Sequence, residues 1–185
     1  MTGEVVLDTR ITEVLDGTEA ETLLFALDRA RAQFAWKVGG LDTAALQRRH
    51  PPSAMTLAGL VKHLALVEEN FVWRDLTGEP PGEPWDPDLF DLDPEWDWHS
   101  AANDTADYLY RLWNDAVAKS RRAWAKVLET GGLDQPSRFV TDDGQSPNLR
   151  RILIDTCEEY SRHVGHADLI REAIDGLVGE DPPQD

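Results

Sequence analysis

The stretch from Ser146 to Gly176 constrains the fold most, because it reads as one uninterrupted helix. Ser146 can supply an N-cap oxygen, Pro147 can occupy the first helical position without cost, and Gly176 can provide a left-handed stop. Between these ends Ile152, Thr156, Tyr160, His163, Ala167, Ile170 and Ile174 recur three and four apart and draw a single inward stripe. A helix with one such stripe must bury it against other elements, so the rest of the chain has to supply matching faces.

Three further segments do so. Thr18 caps a helix whose stripe is Leu23, Leu27, Ala30, Phe34 and Val38, with Gly39-Gly40 as its stop. After Pro51-Pro52 a second helix starts near Thr56, carries Leu57, Leu60, Leu64, Val67 and Phe71, and ends before Gly78. A third opens at Ser100 or Asn103, with Ala106, Leu109, Trp113, Val117, Ser120, Trp124 and Leu128 in register, and ends at Gly131-Gly132. No convincing strand pattern accompanies them, although Arg138-Phe139-Val140 could form a short extended piece. The expected fold is all-α, a four-helix bundle. One domain is expected over 1–185, its core at about 18–176, with an N-terminal arm of about 17 residues and an acidic C-terminal tail. Between the second and third helices, residues 77–100 form a long loop in which Trp85, Phe90, Trp96 and Trp98 stand among aspartates and prolines. Rings of that size gain too much by burial to stay solvated, so the loop is expected to be ordered against the helices.

Charge and cysteine content narrow the function. With 35 acidic and 18 basic residues the net charge is -17, which repels nucleic acid and anionic membranes. The one cysteine, Cys157, excludes an internal disulfide and a four-cysteine zinc site and fits a reducing, cytoplasmic setting. No apolar run approaches the length needed to span a bilayer. There is no Gly-x-Ser-x-Gly and no phosphate-binding glycine loop, and Cys157 reads as a small buried hydrophobe.

The chemistry-bearing residues are histidines and a glutamate on inward faces. His163 lies on the stripe of the last helix, Glu159 precedes it by one turn, and His63 points inward from the second helix. Together they make a two-histidine, one-carboxylate set with coordination positions left open, the pattern of a catalytic metal site. His163 with His166, three apart, satisfies the same spacing rule, and a core histidine that is merely hydrogen-bonded remains the simpler alternative to a ligand. His50 and His99 read as surface residues.

Three blocks resemble the DinB-like superfamily: Gly59-Leu-Val-Lys-His-Leu-Ala-Leu-Val-Glu, Asp97-Trp-His-Ser-Ala-Ala-Asn-Asp, and Glu158-Glu-Tyr-Ser-Arg-His-Val-Gly-His-Ala-Asp-Leu-Ile-Arg-Glu-Ala-Ile-Asp-Gly. The likeness covers roughly residues 20–176 and is strongest to the actinobacterial DUF664 branch, related to mycothiol-dependent enzymes. It implies a bundle of the DinB/YfiT-like type with a long crossover connection and a divalent metal, zinc or alternatively nickel. Carried over, His63 matches the ligand on the second helix, His163 the second member of a pair on the last helix, and Glu159 the first member, where many relatives have histidine. His166 then becomes a group behind the metal or a substrate contact, and no catalytic residue beyond the metal centre is assigned. The resemblance implies a thiol-dependent S-transferase or isomerase that takes mycothiol or a similar small thiol together with an electrophilic substrate. The alternatives are a metal-dependent hydrolase and a non-catalytic metal-binding protein of stress or detoxification; a homodimer is left open.

Overall fold

The computed structural model of the protein describes residues 5–184. The first four residues of the expected arm and the last of the acidic tail lie outside them. The elements are α1 (Glu19–Val38), α2 (Thr43–Leu46), α3 (Leu57–Asn70) continued by a π-turn (Phe71–Thr77), α4 (Pro87–Leu92), α5 (Trp96–Ser100) with a 3₁₀ turn (Ala101–Asn103), α6 (Ala106–Thr130) and α7 (Leu149–Asp175). Among the described residues there is no strand, only an isolated bridge between Pro136 and Asn148. The fold is thus an all-α bundle, in which α1 packs on α7, and α3 on both α6 and α7.

Local chemistry explains most of the boundaries. Thr18 and Glu21 form a reciprocal capping box at the start of α1, and the Thr56 hydroxyl accepts from the Gly59 amide at the start of α3. Gly176 ends α7 in the left-handed region (φ 80°), and its N–H donates to the Glu172 carbonyl. Two helix starts differ from expectation. Helix α7 begins later than Ser146 and Pro147 suggest: Asn148 is the N-cap, because Pro147 offers its carbonyl to the Ser137 amide (2.7 Å) and is held outside the helix. Helix α6 is capped by Thr105, not by Ser100 or Asn103, which end α5 and the 3₁₀ turn. Residues 138–140 are not a strand; the Arg138 amide donates to the Asp75 carbonyl.

The stripes become the core. Leu27, Phe34, Leu57, Leu60, Leu64, Leu109, Leu153 and Tyr160 have no exposed surface, and each such side chain stabilises the fold by about 1.5–3 kcal/mol relative to its solvated state. Phe34 meets Trp113 at 5.7 Å and the edge of Tyr160 at 6.2 Å, joining α1, α6 and α7 through rings. Helix α3 is buried on nearly all sides, which places it at the centre of the bundle. Even its Lys62 is buried, paired to Asp104 at 2.6 Å and lying over the Trp96 ring at 4.3 Å.

Residues 77–100 contain α4 and α5, helices too short to be stable alone. They are held by rings: Trp85 is buried, and Trp96 meets Trp85 at 6.2 Å and Phe90 at 5.5 Å. No helix among the described residues is long and apolar enough to cross a membrane.

Candidate metal centre

Helix periodicity sets Glu159 and His163 one turn apart on the inner side of α7, and the packing of α3 against α7 brings His63 to face them. The imidazoles of His63 and His163 lie 4.8 Å apart between centroids. Glu159 Oε2 is 3.4 Å from His163 Nε2 and 4.0 Å from His63 Nε2, and one donor atom from each residue lies within 4.8 Å of the others. Bonds of about 2.1 Å in a tetrahedral zinc site separate neighbouring donors by about 3.4 Å, so these three atoms could hold such an ion after small side-chain adjustments.

The surroundings prepare each donor. His63 Nδ1 is 2.9 Å from Oδ2 of the buried Asp97. A carboxylate can only accept, so Nδ1–H of His63 donates to Asp97, and Nε2 is the ring nitrogen left to face Glu159 and to serve as a ligand. Burial, and then the neighbouring His63 and His166, push the pKa of His163 down to about 4, which leaves its imidazole neutral at physiological pH. Arg162 Nη1 donates to Glu159 Oε1 at 3.0 Å, which occupies that oxygen and leaves Oε2 facing the histidines. The Nδ1 atoms of His166 and His163 are 3.3 Å apart, so His166 stands behind His163, away from Glu159. Periodicity makes the pairings of His163 with Glu159 and with His166 equivalent; the structure brings together Glu159, His163 and His63 and leaves His166 outside that cluster.

Trp98 covers the face of His63 in a stacked arrangement at 4.5 Å. That approach needs Gly59, one turn before His63: a Cβ there would come within 2.8 Å of the Trp98 ring. Beside the His63 ring opens a cavity of about 570 Å³ whose lining includes Trp73, Trp85, Phe90 and Trp98. His166 instead lines a second cavity, of about 720 Å³, between α7 and the Pro51-Pro52 turn.

Cys157 is not poised as a nucleophile, since burial pushes its thiol up to about 11. His50 is exposed, and His99 is an exposed residue paired with Asp93 at 2.8 Å.

Two features have no clear signal in the sequence. Asp97 sits on a short helix outside every apolar stripe, and only its place in a His-containing resemblance block marks it. The other is a buried polar chain beside the core. Glu68 accepts from Arg31 at 2.8 and 2.7 Å and from the Tyr160 hydroxyl at 2.7 Å; Tyr160 in turn accepts from Trp113 Nε1 at 2.9 Å. Its members are spread over α1, α3, α6 and α7 and look like ordinary helix positions until the helices meet.

A search among curated proteins finds no match to the chain. The family described as mycothiol-S-transferase, however, matches residues 22–176, which include all three facing donors and most of the described fold. The chain therefore belongs to the mycothiol-S-transferase family.

Proposed function

We propose that the protein is a metal-dependent mycothiol S-transferase whose ion, zinc by donor chemistry, is held by His63 Nε2, Glu159 Oε2 and His163 Nε2. The observation that carries this reading is the convergence of those three donors from two helices, one of which, His63, also lines an aromatic cavity. Two imidazoles and one carboxylate suit zinc and leave room for an incoming ligand. A divalent ion held there lowers the pKa of a thiol presented to it and so supplies thiolate at neutral pH.

The chain's own residues perform the rest. Asp97 accepts from His63 Nδ1–H and so leaves Nε2 for the ion, while burial keeps His163 neutral. Trp98 stacks on His63 and covers that face of the ring. The protein offers no competing sulfur nucleophile, because Cys157 holds its proton. In the overall reaction the mycothiol S–H proton leaves to solvent, a C–S bond forms to the electrophile, and the leaving group departs with its bonding electron pair. The net charge of -17, the lone cysteine and a cavity of about 570 Å³ support a single-domain cytoplasmic enzyme acting on small molecules and not on nucleic acid.

The test is metal analysis of untagged protein, coupled to transfer of mycothiol to a chlorodinitroarene. Wild type should carry close to one zinc per chain, and His163→Ala should lose both metal and transfer while keeping its helical circular dichroism. Equal transfer rates in the two proteins, with zinc present only in wild type, would assign the metal a structural role and overturn the mechanism.

A further inference from the structure

The cavity beside His63 has a chemical character that the transferase reading leaves undefined. Its walls are rings and prolines: Trp73 from the π-turn, Trp85 and Phe90 from residues 77–100, and Trp98 over the histidine. A volume of about 570 Å³ fits a small organic molecule and little more. The walls are braced from behind. Trp96 packs on Trp85 and Phe90, and is itself held against Lys62, whose ammonium is fixed by Asp104. The site is thus preformed and does not need to fold around its ligand.

Its charges all have one sign. Asp91, Glu95 and Asp97 line the cavity, and no lysine or arginine does. Asp97 is committed to His63, but Asp91 and Glu95 are exposed carboxylates at the cavity's edge. The surrounding chain, at -17, adds a field of the same sign. An anion entering here would give up hydration and meet carboxylates with no compensating donor charge, whereas a neutral ring would exchange water for aromatic contact.

We propose that this cavity is the electrophile subsite, and that it selects neutral, apolar, ring-sized electrophiles and rejects anionic ones. The assignment rests on the transferase reading for the word electrophile, while the selectivity rests on the cavity alone. The direct contact between Trp98 and His63, and the place of His63 in both the cavity wall and the donor set, put a bound ring next to the position where the thiol sulfur would attack.

The test uses inert ligands on the full-length protein, so that binding is read without thiol chemistry. Saturable quenching of tryptophan fluorescence should show 4-nitroanisole binding at least about tenfold more tightly than 4-nitrobenzoate. Trp73→Ala, at a partly exposed residue whose loss leaves the core intact, should weaken 4-nitroanisole by roughly two- to tenfold. Asp91→Lys should narrow the gap between the two ligands by improving 4-nitrobenzoate. Equal affinity for the neutral and anionic ligands, or binding indifferent to Trp73→Ala, would overturn the proposal. Mycothiol transfer to a chlorodinitroarene, measured in parallel, separates the two readings. Transfer without cavity-dependent binding overturns the subsite alone; selective binding without transfer overturns the transferase reading and the electrophile role together.

Discussion

Replacing Asp97 with asparagine removes one negative charge from behind His63 while preserving the shape of the side chain. Asp97 is buried, and its Oδ2 lies 2.9 Å from His63 Nδ1, so the bond is charge-assisted and shielded from water. Such a bond contributes about 1.5–3 kcal/mol, and a neutral amide acceptor recovers about half of it. The remaining loss, about 0.75–1.5 kcal/mol, corresponds to roughly four- to twelvefold weaker zinc binding. If the amide turns its NH₂ toward Nδ1, the His63 proton is driven to Nε2 and that ligand is lost, which extends the effect toward about a hundredfold. The assay is competition between apo-protein and a chromophoric zinc chelator at pH 7, with circular dichroism to establish that the variant is folded. A zinc affinity within threefold of wild type would refute the claim that Asp97 prepares His63 for coordination.

Gly59→Ala should lower stability by about 1 kcal/mol, because the helix-propensity gain of about 1 kcal/mol is outweighed by displacing a Trp98 ring that a Cβ would approach to 2.8 Å; a stabilised variant in thermal unfolding would show that Gly59 is not there for Trp98. Glu68→Gln leaves the Arg31 guanidinium buried with only the half-exposed Asp28 as an ionic partner, so it should cost about 3 kcal/mol and lower Tm by roughly 6–12 °C. A fall in Tm of under about 2 °C would mean that the buried pair contributes little. Acid should release the C-terminal segment: Asp181 accepts from Arg29 and Gln33 on α1, and Arg29 holds its carboxyl below the usual range. Its folded pKa is depressed, so this docking is fully present above about pH 4 and is lost as pH falls through the lower folded value; unchanged hydrogen exchange of residues 177–184 across that window would contradict it.

Each helix stripe is legible in the sequence because side chains three and four apart share a face whatever the rest of the chain does. The same locality makes Thr18, Thr56 and Gly176 readable as ends, and puts Glu159 beside His163. The start of α7 departs from Ser146 because the deciding contact is tertiary, the Ser137 amide on the Pro147 carbonyl. Residues 77–100 likewise hide α4 and α5, whose few residues cannot nucleate a helix without the rings that pin them to the bundle. His63 can be placed on an inner face from its spacing, and the family resemblance pairs it with the last helix. Only the packing of α3 against α7 brings its nitrogen to 4.0 Å from Glu159. Arg31 and Glu68, and the Asp97 that holds His63, carry charges that a sequence pattern assigns to solvent. Burial of such groups is set by whether a partner from another element reaches them, and that is a property of the assembled helices, not of any one segment.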